Sequence, residues 1–322
     1  YIFICYNQTM NKSLIYEAFG QPHQVLKIKE SCKPSLQDHE ILVKMIYAPV
    51  NPSDLIPIKG AYAHRIKLPS VAGYEGVGRI IEVGDALSQK LIGQHVLPLH
   101  GEGTWQFFVK CPIDHAYFIP ESFDLLSASQ LYINPLTALL LCIEVLRLEP
   151  GEKLAINAAA SSIGQVFAQL SKVMGFDLVA ITRDRKKHEK LRLLGAREVR
   201  TDLIGLEVDA AIDCVGGQAG NDLAACVRPG GKFQALGLLS GKQVDWAKIS
   251  SLPIETGIFH LRHWYTKLSV QEWQEKMQML EQLVTNKHLV INQEITLVPF
   301  EKLVTKLDKP SKSKLIVDFT QK

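Results

Sequence analysis

The sequence is short of the features that mark several function classes. Its six cysteines, at positions 5, 32, 111, 142, 214 and 226, include no C-x-x-C pair. Neither a zinc knuckle nor a thioredoxin-type redox pair is therefore suggested. Scattered thiols read as unpaired, which fits a reducing, cytoplasmic setting. The longest apolar run, 136–143, falls far short of the ~20 residues that span a bilayer, so no membrane role is expected. The first six residues are apolar but too few for a signal-peptide core. Met10 opens the first strand-like segment, so residues 1–9 read as an upstream extension. There is also no large excess of one charge: 36 Lys+Arg stand against 33 Asp+Glu, a net +3. A dedicated nucleic-acid binder would concentrate basic residues on one face, and none is expected as a partner. No repeat or low-complexity segment is present.

What remains is an ordinary globular composition, 47% hydrophobic and 21% charged over 322 residues. At roughly 150 residues per domain that makes about two domains. The first third reads as strands and turns: 13–16, 24–29, 40–47, 77–83, 95–99, 105–109 and 116–119, punctuated by prolines. A short helix is expected over 122–131. Asn134-Pro135 then reads as N-cap and first turn of a helix running to about 146. From 153 the texture alternates. Strands are expected at 153–157, 178–182, 209–214 and 232–236, with helices at 162–174, 186–194 and 218–227. Such alternation predicts a parallel sheet covered on both faces. Ser269-x-x-Glu272 is a capping box, and Val270, Trp273, Met277, Leu280 and Val284 fall on one helical face behind it. The last strand is expected at 314–319, rejoining the β-rich first part.

The segment 154–170 reads as strand, small-residue turn and helix, the arrangement that seats a pyrophosphate at a helix N-terminus. Of the G-x-G-x-x-G glycines only Gly164 is present; Ala159 and Ser161 fill the other places. A ligand-free tight turn is the competing reading of that motif alone. At the tip of the next strand stand Arg183-Asp184-Arg185. A carboxylate at this tip suits the 2′-hydroxyl of NAD, whereas guanidinium forks suit a 2′-phosphate. The arginines therefore favour NADPH, although Asp184 lies at the same tip.

Taken with further segments, the sequence resembles the medium-chain dehydrogenase/reductase superfamily from Met10 onward. Those segments are Asn51-Pro52-Ser53-Asp54, Leu68-Pro69, Gly73-Tyr74-Glu75-Gly76-Val77-Gly78, Glu82-Val83-Gly84, Asn134-Pro135-Leu136-Thr137-Ala138, Leu194-Gly195-Ala196 and Asp213-Cys214-Val215-Gly216-Gly217. The resemblance implies an α/β chain: a GroES-like β-rich catalytic domain at 1–122 and 288–322, and a Rossmann doubly wound NADPH-binding domain at 123–287. Asn157, Gly103-Thr104-Trp105 and the stretch 259–264 look most like mitochondrial-type 2-enoyl thioester reductases; zeta-crystallin-type quinone oxidoreductases are next. Ser162 stands where the family's second glycine is usual. Zinc members use a Cys where Asn51 stands and a His where Tyr74 stands, so no metal is expected.

Reduction of an enoyl thioester needs hydride at Cβ, an oxyanion donor and an acid at Cα. The resemblance gives that acid as Tyr62, within Lys59-Gly60-Ala61-Tyr62. A tyrosine of ordinary pKa, about 10, is protonated at neutral pH. Asn51 either orients substrate or makes an Asx turn before Pro52. The same resemblance implies cofactor contacts from Asn134, from Ala160, Ser161, Ser162, Ile163 and Gly164, and from Arg183, Asp184 and Arg185. It adds Leu236, Gly237, Leu238 and Leu239, then Phe259, His260, Leu261 and Arg262, and finally Lys314. The expected function is NADPH-dependent reduction of an activated C=C bond in a thioester of CoA or acyl carrier protein. The alternatives are an NADPH:quinone oxidoreductase and a non-catalytic NADPH-binding protein. A homodimer is expected by analogy.

Overall fold

A computed structural model describes residues 10–61, 63–99, 103–291, 294–309, 311 and 313–321. The chain divides into two compact units, Tyr1–Tyr132 with Asn292–Lys322, and Ile133–Ile291. Residues 1–9, on which the upstream-extension reading falls, and Tyr62 lie outside the described residues. Among the described residues no helix is long and apolar enough to cross a membrane.

The first unit is built on sheets, because its β-branched and apolar residues alternate between Pro and Gly breaks. Its main sheet runs Ile295–Pro299, Lys314–Asp318, Glu40–Pro49, Val77–Val83, His95–Pro98, Ala116–Ile119, and Phe108–Pro112 also pairs with Glu40–Pro49. Met10–Tyr16 pairs antiparallel with Leu26–Cys32 and with Ser70–Val71 in a second, smaller sheet. Glu40–Pro49 organises the unit. Ile41, Val43 and Met45 project into a core with Leu14, Ile80, Trp105 and Val317. Phe300 joins that core, and Phe107, Phe300 and Phe319 cluster with ring centroids 5.1–5.5 Å apart. The C-terminal strand Lys314–Asp318 runs antiparallel to Glu40–Pro49, with Val317 opposite Ala48.

The second unit holds a six-stranded, all-parallel sheet in the order Glu198–Arg200, Asp177–Ile181, Lys153–Ile156, Val208–Asp213, Val227–Ala235, Glu255–Ile258. The chain moves outward from Lys153–Ile156 in one direction, then returns beside it and moves outward in the other. The carboxyl ends of Lys153–Ile156 and Val208–Asp213 therefore form a topological switch point, where open α/β sheets bind ligands. Phe233, Leu223 and Ala211 pack one face of this sheet.

Several local expectations need correction. Only Leu125–Ala128 of the stretch 122–131 is helical, capped by Asp124. Asn134 is not an N-cap: it lies inside a wide π-type turn, Tyr132–Leu136, which also contains Pro135. Proline has no N–H to place in the ladder, and π-turns accommodate such a misfit. Pro52–Ile58 is a short helix that the proline punctuation hid. Val270 is 39% exposed at the helix start, while Trp273, Met277 and Leu280 are buried. Cys32 is disulfide-bonded, whereas Cys111, Cys142, Cys214 and Cys226 are free. Spacing alone carries no pairing information for cysteines this far apart.

Candidate functional site

In the second unit the site begins where Lys153–Ile156 ends. Asn157 donates from Nδ2 to Asp213 Oδ1 (2.5 Å) and accepts from the Cys214 N–H (2.7 Å), tying the two central strands together across the switch point. Asp213 is fully buried and also accepts from the N–H groups of Val215 (3.0 Å) and Gly216 (2.9 Å). Its side chain thereby shapes the Gly216–Gly217 turn above the sheet. Asn157 entered the sequence argument only through the resemblance, and the buried anchor Asp213 escaped it as a site residue. An Asp directly after the apolar strand residues Ala210, Ala211 and Ile212 was the signal.

After Asn157 the backbone turns sharply. Ala158 takes φ +50°, in the left-handed region usually left to glycine. The helix Ser162–Met174 then starts from Ser161, whose Oγ accepts from the Gly164 N–H (3.4 Å). A Cβ on Gly164 would come within 2.3 Å of the Ala159 carbonyl oxygen. The surviving glycine is thus the one that lets the helix press on the turn; the other two places tolerate Cβ atoms. The turn 160–164 sits at a helix start, where backbone N–H groups and the macrodipole attract phosphate.

Beside it, the strand Asp177–Ile181 ends in buried Thr182 and exposed Arg183, Asp184 and Arg185. Asp184 accepts from the Lys186 N–H (3.0 Å), so its carboxylate caps a turn of 3-10 helix at Arg185–Lys187. That local role explains an acid among arginines. Leu236 and Gly237 both donate their N–H to the Asp213 carbonyl (2.8 and 3.1 Å), holding 236–239 over the same strand ends. Phe259 is 2% exposed, stacked on Trp264 and bonded through its N–H to the Ala235 carbonyl; His260 and Leu261 are half-buried and Arg262 exposed. Phe259 thus anchors the stretch 259–262 to the end of the strand Val227–Ala235. Burial, with Asp213 nearby, pushes the Cys214 thiol up to about 12, which disfavours nucleophilic or redox use.

The first unit holds a separate polar cluster. Asn51 precedes the helix Pro52–Ile58, and its N–H donates to Asp54 Oδ2 (2.6 Å). Together Asn51 and Asp54 form a capping box at the start of that helix. Asn51 Nδ2 donates to Glu75 Oε1 (2.6 Å), and Oδ1 accepts from the Lys314 ammonium. Asn51, Asp54 and Glu75 are at most 2% exposed, and Lys314 is 9%. Burial and the neighbouring Glu75 raise Asp54 to about 7, against the opposing pull of Asn51 and Lys314. Burial lowers Lys314, against Glu75 and Asp54. Both directions say that ionisation here is expensive. Asp54 Oδ1 is buried without a hydrogen-bond partner. Asp54 and Glu75 were missed as a pair because sequence order does not show which carboxylates are buried.

Comparison with known proteins gives this geometry a family. Residues 37–120 match the alcohol dehydrogenase GroES-like domain, and residues 162–283 match the family described as zinc-binding dehydrogenase. A mitochondrial enoyl-[acyl-carrier-protein] reductase of Arabidopsis thaliana is 31% identical, over 93% of this chain and 84% of its own length. A Bacillus thuringiensis protein named as an NADPH:quinone reductase is 43% identical and superposes with a TM-score of 0.93, over 96% of this chain and 99% of its own. The Etr1p/NADP/crotonyl-CoA complex shares the fold at 21% identity and a TM-score of 0.82, over 97% and 100%. The zinc in that second family description does not suit these residues. Asn51 offers an amide already shared between Glu75 and Lys314, and the ammonium brings a positive charge of its own. Among the described residues no three His, Cys, Asp or Glu side chains converge.

Proposed function

Because the chain belongs to the medium-chain dehydrogenase/reductase superfamily and is an NADPH-dependent oxidoreductase, we propose that it reduces the C=C bond of a trans-2-enoyl thioester. The observation that carries this reading is the likeness to enoyl-[acyl-carrier-protein] reductases along 93% of the chain. The Gly60-Ala61-Tyr62 segment supports it, since it supplies an acid that a quinone reductase does not need. Bound NADPH supplies the hydride for Cβ. The proposed contacts are the 160–164 turn for the pyrophosphate, and Arg183 and Arg185 for the 2′-phosphate. Asn134, Leu236–Leu239, His260–Arg262 and Lys314 complete the cofactor set. Hydride addition leaves negative charge on the thioester oxygen, and Tyr62 donates the proton that Cα takes up. Lys314 contributes as the buried partner of Asn51, whose amide it holds in one orientation. The carrier is CoA or an acyl carrier protein. A homodimer through the outer strand Glu255–Ile258, with Ile258 52% exposed, belongs to the same proposal.

Quinone reduction is the second reading, favoured by the 43% identity to the Bacillus thuringiensis protein. A steady-state screen with NADPH against crotonyl-CoA, a longer enoyl thioester and a naphthoquinone separates them. Turnover of thioesters is expected. Turnover of the quinone alone installs the second reading, and saturable NADPH binding without any turnover installs a non-catalytic one. Tyr62→Phe should cut crotonyl-CoA turnover by orders of magnitude while sparing NADPH binding; unchanged turnover removes Tyr62 from the mechanism.

A further inference from the structure

The Asn51 side chain lies between two buried groups of opposite character. An ionised carboxylate only accepts hydrogen bonds, and an ammonium only donates them. Glu75 takes the Nδ2 donor and Lys314 donates to Oδ1, so one orientation of the amide satisfies both. The backbone around the three residues is fixed. The Val50 N–H bonds the Leu315 carbonyl (2.9 Å) and the Lys314 N–H bonds the Glu294 carbonyl (2.8 Å), which seats the start of Lys314–Asp318 beside Asn51. On the other side, Thr104 Oγ1 donates to the Glu75 carbonyl (2.8 Å). A Cβ on Gly76 would come within 2.7 Å of the Tyr47 carbonyl oxygen, so the backbone after Glu75 is pressed onto the strand Glu40–Pro49.

Lys314 is the member of this chain of contacts with capacity left over. Its ammonium has three donors, and among the described residues it uses one, on Asn51. Unused donors on a buried cation are costly, and a polar ligand is what would take them. Burial pushes the ammonium toward its neutral form, and two carboxylates oppose that push, Glu75 first and Asp54 after it. Asp54, raised to about 7, is itself partly protonated at neutral pH. Glu75 is therefore the main counter-ion. At 1% exposure Glu75 is out of reach of any ligand, so what it does for a reaction it does through Asn51 and Lys314.

We propose that Glu75 is a positioning residue for cofactor binding: through the Asn51 amide it holds the Lys314 ammonium in place and charged, with two N–H groups left for an acceptor on NADPH. The proposal rests on the reading of Lys314 as a cofactor contact and adds the residue that makes the contact possible. A lysine on a mobile stem would lose rotamer freedom on binding. Lys314 has already lost it in the free chain, and its charge is already compensated.

The test measures NADPH binding by fluorescence titration of the full chain, and thermal unfolding of the same variants without cofactor. Glu75→Gln keeps an acceptor for the Asn51 amide and removes the charge. It should weaken NADPH binding about tenfold. Affinity should also begin to fall about one pH unit lower on the alkaline side than in wild type, because Asp54 is then the only carboxylate facing Lys314. Lys314→Met should weaken binding at least as much, and adding Glu75→Gln to it should weaken binding no further. The double variant should melt above Lys314→Met, since it no longer buries an unpaired carboxylate. Should Lys314→Met not fold, the double variant takes its place and the pH profile of Glu75→Gln decides. An unmoved pH profile in Glu75→Gln, or the same loss of affinity from Glu75→Gln with and without Lys314, overturns the proposal alone. Wild-type affinity in Lys314→Met overturns it together with the reading of Lys314 as a cofactor contact.

Discussion

Ala158 holds a left-handed backbone, φ +50°, at the entry to the phosphate turn. For a residue with a Cβ this costs about 1–2 kcal/mol, and such strain persists where the surroundings impose it. Ala158→Gly should relieve it while adding freedom to the unfolded chain. The expected net gain is at most about 1 kcal/mol, a few degrees of Tm, with NADPH affinity little changed. A lower Tm in that variant would show that the methyl contributes packing worth more than the strain. Asp54 presents the opposite case, a penalty set by pH. Its folded-state pKa of about 7 stands well above the ordinary aspartate value of 3.8. Between those values the native state holds a proton that the unfolded state has released, so stability falls as pH rises through about 4 to 7. The groups facing it are Asn51 on its own helix, Glu75 and Lys314. Asp54→Asn keeps an acceptor for the Asn51 N–H and cannot ionise. Its Tm profile from pH 4.5 to 7.5 should decline less steeply than that of wild type, and parallel profiles would place the titrating group elsewhere.

At the scale of elements, the proposal for cofactor choice rests on the tip of Asp177–Ile181. Arg183 and Arg185 are exposed, and Asp184 is occupied in capping the turn that follows. Replacing both arginines by alanine should shift preference from NADPH toward NADH by roughly 1–3 kcal/mol, the range for lost charged hydrogen bonds. An unchanged ratio of kcat/KM for the two cofactors would remove the phosphate from this tip. This element was readable in the sequence because both signals, the strand pattern and the Arg-Asp-Arg run, are local. The helix Ser162–Met174 was readable for the same reason: its start, Ser161, and its end, Gly175, are both punctuated. The Asn51 cluster was not. Lys314 reaches Asn51 across 263 residues, and no local pattern says that a lysine in a closing strand turns inward. The wide turn at Asn134 was hidden for a related reason, since Asn-Pro reads as a helix start wherever the preceding residues are free to be coil.

For the whole molecule, the decisive feature is that the first unit is closed by the last segment of the chain. Lys314–Asp318 lies between Ile295–Pro299 and Glu40–Pro49 in the main sheet. Leu315, Ile316, Val317 and Phe319 are each at most 6% exposed. At about 1.5–3 kcal/mol for each buried apolar side chain, these four account for roughly 6–12 kcal/mol before any hydrogen bonds are counted. A domain's entire stability is about 5–15 kcal/mol. Removing residues 294–322 also strips the ammonium from beside Asn51, leaving Glu75 buried without its nearby cation, which is more damaging than losing both partners. The truncated chain should therefore lose hydrogen-exchange protection throughout Glu40–Pro49 and Val77–Val83. The strands Lys153–Ile156 and Val208–Asp213, whose partners all lie within Ile133–Ile291, should retain theirs. Retained protection of Glu40–Pro49 would mean that the first unit's core closes without its C-terminal strands, and uniform loss in both units would mean that the chain folds as one cooperative body.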